Sequence, residues 1–89
     1  MPHIIVKWYT GRSRDQKMAL AEKITQNVVE IAGCSPGAVS VAFEDVEPAE
    51  WAQKVFQPDI LGDNGTVVKM PGYDPFADDN ETAEETKPK

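Results

Sequence analysis

A single cysteine and a single histidine in 89 residues leave little material for two kinds of chemistry. Cys34 alone forms no internal disulfide, and with His3 it makes no ligand cluster of the usual metal-site spacing, so neither a metal nor another cofactor is expected. No apolar run approaches the roughly 18–20 residues that cross a bilayer, so no membrane-spanning role is expected. Lys7 interrupts Ile4-Ile5-Val6, and the start therefore lacks the basic and then apolar order of a signal peptide; the expected location is cytoplasmic. Basic charge is also scarce. Nine Lys and Arg face fifteen Asp and Glu, a net charge of −6, which is not the footprint of a nucleic-acid binder. The phosphate loop, the Gly-x-Ser-x-Gly elbow and a Cys-His-Asn order are missing, as is any repeat of 20–50 residues.

The acidity is uneven. Residues 74–89 hold six acids and two lysines, and residues 1–73 hold nine acids and seven bases. The last sixteen residues contain one aromatic and no β-branched aliphatic residue, too little to offset ordering entropy, so they are expected to form an acidic disordered tail behind one domain spanning 2–73. Within the window 74–85, Phe76 and Asp79 occupy positions where a calcium loop needs a ligand and a glycine.

The remaining residues read as an α/β (α+β) chain of β-α-β type. His3 to Tyr9 is rich in β-branched and aromatic residues and predicts a strand covered on both faces, with Ile4, Val6 and Trp8 on one side and Ile5, Lys7 and Tyr9 on the other. Thr10-Gly11 ends it. Ser13 with Gln16 forms a capping box, Leu20, Ile24, Val28 and Ile31 recur at helical spacing, and Gly33 stops a helix over 15–32. Val39 to Glu44 alternates with period two, and a second strand after so long a connection is parallel to the first. Pro48 opens a short second helix of two turns that ends before Pro58, and Thr66 to Met70 is a candidate short C-terminal strand.

One long helix on two strands leaves a sheet edge and an apolar helix flank at Met18 and Val29 without cover. A chain this small buries only about 60% of its extended surface. Both points predict a homo-oligomer that completes the core across a two-fold axis.

Pro2 is the residue with the most chemical potential. Removal of Met1 exposes a secondary amine held at the start of a strand, although proline's fixed φ also suits that position without any catalytic role. His3 reads as a packed strand residue rather than a catalyst, and Cys34 as a structural or incidental thiol; Trp51 alone reads as ordinary core, and the plain alternative for Arg12 is a solvated residue beside a helix start.

Pro2-His-Ile-Ile-Val-Lys7, Gly11-Arg12-Ser13, Asp15-Gln-Lys17, Pro48-Ala-Glu-Trp51 and Lys69-Met-Pro-Gly-Tyr73, in this order and spacing, resemble the 4-oxalocrotonate tautomerase family of the tautomerase superfamily, and within it the phenylpyruvate-tautomerase-like, dimeric branch. The resemblance implies a β-α-β protomer in a homodimer, with a hexamer as the other family assembly, and a site at the subunit interface. It implies that Pro2 is the general base, that Arg12 binds a substrate carboxylate, and that Trp51 forms an aromatic wall. A second family arginine is replaced by Ser40, so the implied substrate is a small 2-keto acid with one carboxylate, phenylpyruvate-like. Help at its oxo group must then come from a backbone N–H, a water or the Ser40 hydroxyl. A neutral amine near neutral pH requires a lowered pKa, from an apolar site and a nearby cation. The competing readings are hydration or dehalogenation of unsaturated acids, with Glu44, Asp45, Glu47 or Glu50 activating water, and a non-catalytic binding module.

Overall fold

A computed structural model of the chain describes residues 1–63 and 65–76. The structure divides into two compact units, one over Met1–Pro48 and one from Ala49 onward. The tail expectation falls mostly on residues 77–89, outside the described residues.

The first unit is β1 (His3–Tyr9), α1 (Arg14–Ala32), a 3-10 turn (Pro36–Ala38) and β2 (Ser40–Val46). The two strands pair in parallel from His3 opposite Ser40 to Tyr9 opposite Val46. α1 begins where the sequence predicts. The Ser13 hydroxyl accepts from the Gln16 N–H at 3.1 Å, and the Gln16 side chain accepts from the Ser13 N–H at 2.8 Å. Gly33 ends the helix at φ 77°, a left-handed conformation, and its N–H donates to Val29 O at 3.0 Å. β2 runs two residues beyond the predicted end, to Val46, because every residue of β1 has a partner in register.

α1 packs on the sheet face that carries Ile4, Val6 and Trp8 of β1 with Val41 and Phe43 of β2. Trp8 and Phe43 stack there with ring centroids 5.0 Å apart. Lys17 of α1 reaches Asp45 on the same side at 2.8 Å. The opposite face carries the pairs His3 with Ser40, Ile5 with Ala42 and Lys7 with Glu44. β1 is thus not covered on both faces, for Ile5 is 55% and Tyr9 44% exposed. One helix covers one side of a two-stranded sheet. Ile31, predicted in the apolar stripe, is 85% exposed, and no residue of α1 is fully buried. With Asn27, Val28 and Ala32 it lines an apolar hollow of about 220 Å³ on the helix surface.

The second unit departs from expectation twice. The chain turns through Pro48–Glu50 and then forms a π-type helix over Ala52–Leu61 that does not stop before Pro58. In an α-helix a proline ring meets the carbonyl four residues back. Bonding five residues back, as in Gly62 N–H to Gln57 O at 2.7 Å, shifts that register and lets the helix pass Pro58. Val55 and Phe56 are its buried residues. The predicted C-terminal strand is also corrected: among the described residues, 66–70 form no strand. Asp63 accepts from the N–H groups of Gly65 at 2.8 Å, Thr66 at 2.9 Å and Val67 at 3.2 Å, and from the Thr66 hydroxyl. Donors bound to a side chain are not available to a ladder. The Thr66 hydroxyl bond, helped by those N–H groups and opposed by partial desolvation, lowers the Asp63 pKa to about 2.

Candidate active site

Pro2 lies one residue ahead of β1 and is half-buried, whereas Met1 is 99% exposed. The parallel register ties it to β2, since the Ser40 N–H donates to the Pro2 carbonyl at 3.1 Å. His3 stands opposite Ser40, and its Nδ1 is 2.6 Å from the Ser40 hydroxyl. Pro2, His3 and Ser40 therefore meet at the start of the sheet.

Arg12 belongs to the other end. Gly11, at φ 113°, turns the chain after β1, and the exposed Arg12 guanidinium sits 5.6 Å from the centre of the Trp8 ring, within cation–π range. The Trp8 indole N–H donates to Asp45 Oδ1 at 2.9 Å, and Lys17 Nζ donates to Asp45 Oδ2 at 2.8 Å. The Lys17 bond is the main cause that holds the Asp45 pKa below its ordinary value; partial desolvation opposes it, and the Trp8 bond and the Lys17 charge add to the lowering. A chain of contacts thus links Lys17, Asp45, Trp8 and Arg12, and fixes the ring over which the guanidinium lies. Pro2 and Trp8 are separated by six strand residues, about 20 Å at ~3.3 Å each.

Trp51 belongs to the second unit. Its indole N–H donates to the Tyr73 hydroxyl at 2.7 Å. Tyr73 in turn packs on Phe56 at 5.4 Å, and Phe56 meets Phe76 edge-on at 5.9 Å. The residue expected as a pocket wall is thus part of an aromatic cluster whose polar groups are paired.

The structure brings Pro2 and Ser40 together and sets Arg12 at the far end of β1. A groove of about 310 Å³ between α1 and β2 is lined by Arg14, Lys17, Met18, Ala21, Val41 and Phe43, and none of Pro2, Arg12, Ser40 or Trp51 lines it. It opens on the helix-facing side of the sheet, opposite the face of His3 and Ser40. No group of three His, Cys, Asp or Glu side chains suited to a metal ion assembles among the described residues. None of their helices is long and apolar enough to cross a membrane. Sequence reading missed the roles of His3 and Asp45. Both pair with residues 37 positions away, an offset that is the strand register itself and becomes visible only once that register is known.

Residues 2–58 match the family model described as tautomerase enzyme. The chain is 43% identical over 77 residues to a probable tautomerase of Xylella fastidiosa, covering 86% of this chain and 94% of that protein. It is 36% identical over 75 residues to the tautomerase PptA of Cronobacter sakazakii, covering 83% and 99%. Among solved structures it is similar to YwhB, a homologue of 4-oxalocrotonate tautomerase, with a TM-score of 0.50 and 37% identity over 52% of this chain and 75% of the other. The chain belongs to the tautomerase family. It is an isomerase of the tautomerase type with the β-α-β fold of that family.

Proposed function

We propose that the protein interconverts keto and enol forms of small, phenylpyruvate-like 2-keto acids without a cofactor, with the Pro2 amine as general base once Met1 is removed. The observation that carries this reading is the anchoring of Pro2. Its carbonyl accepts from the Ser40 N–H, so its nitrogen stands at the end of a fixed strand, next to the residue pair His3 and Ser40. A base held in this way takes a proton from the substrate carbon, or returns it, with little reorganisation.

Arg12 holds the substrate carboxylate by its planar fork. Its guanidinium rests on Trp8, itself about 20 Å along β1 from Pro2 at ~3.3 Å per residue, a span no small keto acid bridges, so the Arg12 that serves one Pro2 comes from a second copy of the chain. The bare sheet face and the exposed α1 flank are the surfaces for such a homodimer. Hydration or dehalogenation chemistry is less well supported, because it needs a carboxylate to activate water: Asp45 is committed to Lys17 and Trp8, Glu50 pairs with Lys54, Glu44 lies opposite Lys7, five residues along the chain from Pro2, and Glu47 follows the far end of β2.

Pro2→Ala lowers the rate of phenylenolpyruvate ketonisation, followed by ultraviolet absorbance, by about 10²-fold or more. Equal rates in the two proteins overturn the assignment. Intact-mass measurement of the native protein shows the loss of one methionine if Pro2 is the base.

A further inference from the structure

Ser40 has two hydrogen-bond donors beside Pro2, its N–H and its hydroxyl. The N–H is already spent on the Pro2 carbonyl at 3.1 Å. Of the two, only the hydroxyl is left to meet a substrate oxygen, and its direction is set by His3 Nδ1 at 2.6 Å. The contact has two forms, because a hydroxyl both donates and accepts while Nδ1 does one or the other according to the tautomer. If Ser40 donates, its hydrogen points into the imidazole and is lost to the substrate. If Nδ1–H donates, the Ser40 oxygen is held as acceptor and its hydrogen is turned outward.

Resting on the reading of Pro2 as base, we propose that His3 is a positioning residue whose Nδ1–H donates to Ser40 Oγ and aims the Ser40 hydroxyl hydrogen at the 2-oxo oxygen of the substrate. That oxygen gains negative charge as Pro2 takes the proton from the neighbouring carbon. A donor already oriented there stabilises the charge without rearranging at the moment of reaction. The bond that Oγ accepts also polarises its own O–H. Ser40 touches the reacting oxygen, and His3 acts through it. No proton leaves Ser40 in this step; the carbon–hydrogen bond breaks, an N–H bond forms on Pro2, and the enolate oxygen is held by a hydrogen bond. The placement follows from the register, which sets both side chains on one face of the sheet at the end where Pro2 begins it.

Two measurements test the proposal. His3 is the only histidine, so the nitrogen-15 spectrum of the native protein reports its tautomer without assignment ambiguity, and a protonated Nδ1 is expected. A bare Nδ1 overturns the proposal, and this readout needs no variant to fold. In the ketonisation assay Ser40→Ala is expected to lower kcat by about 10²-fold and His3→Ala by roughly tenfold, the scale of one net hydrogen bond, each with KM little changed. His3→Asn, which restores an N–H donor close to Nδ1, recovers most of the loss. The double variant is no slower than Ser40→Ala, because a residue that acts only through Ser40 has nothing to act on there. Wild-type kcat in His3→Ala, or multiplied losses in the double variant, overturns the role of His3 and leaves Pro2 untouched. Full activity in Pro2→Ala overturns the base reading instead, while the tautomer still decides the polarity of the His3–Ser40 bond.

Discussion

Asp45 receives one bond from α1 through Lys17 and one from β1 through Trp8, while lying on β2 itself. One carboxylate therefore joins α1 and both strands. Its pKa lies below the ordinary value, chiefly because of the Lys17 bond. A carboxyl group lowered on folding stabilises the folded state above its unfolded pKa, and that contribution is lost as pH falls through the folded value. Asp45→Asn is therefore expected to lower the thermal midpoint at neutral pH, with the gap to wild type closing below about pH 4. Thermal melts of both proteins between pH 7 and pH 2.5 check this; a gap that does not change with pH would mean that the charge of Asp45 is irrelevant to folding. The same residue has a bearing on function. By fixing the Trp8 indole it fixes the surface on which Arg12 rests, and Arg12 is the group proposed to bind the substrate carboxylate.

α1 shows local signals at both ends and a weak apolar contribution between them. Its capping box is complete and Gly33 has the left-handed conformation expected of a helix stop. None of its side chains is fully buried in the single chain. Such a helix relies on its ends more than one sunk in a core, because packing supplies less of its stability. Ser13→Ala is expected to destabilise the protein by about 1 kcal/mol, with Gln16→Ala in the same background adding little, since the two groups satisfy each other's donors. Urea titration followed by circular dichroism measures both; full additivity would show that the box is not reciprocal. Gly11 and Gly33 differ in what they protect. The first turns the chain toward Arg12, and the second ends the helix. The predicted helix limit at Pro58 failed because proline excludes the α register and not every helical register. The strand prediction for 66–70 failed because the pattern Thr-Val-Val describes what suits a strand, while Asp63 had already taken the neighbouring N–H groups.

At the scale of the molecule, the single chain leaves apolar surface uncovered. Ile5 and Tyr9 on the open sheet face, with Met18 and Ile31 on α1, stay exposed. The two groups proposed to act on one substrate sit at opposite ends of β1. The homodimer proposed above would resolve both at once, covering apolar surface and bringing an Arg12 to each Pro2. Ile5→Lys, on the open face and away from the Lys17–Asp45 contact, is expected to shift the sedimentation profile to a smaller species and to reduce tautomerase activity with it. An unchanged profile would move the interface to the α1 flank.

The order β-α-β, the ends of α1, the extent of β1 and the family itself are determined by the sequence alone, because caps, periodicity and chain order are local or nearly local properties. Pro2, Arg12, Ser40 and Trp51 were also readable as candidates from motif and position. What only the tertiary structure decided is which of them meet. A shift of one residue in the strand register would carry Ser40 away from His3 and Asp45 away from Trp8. That register is reinforced by the bonds of Asp45 to Lys17 and Trp8, which join α1, β2 and β1 and which no stretch of sequence records by itself. The same holds for the Ser40 backbone N–H: its bond to the Pro2 carbonyl removes it from the possible electrophiles and leaves the hydroxyl, in contact with His3, as the Ser40 group available near the proposed base.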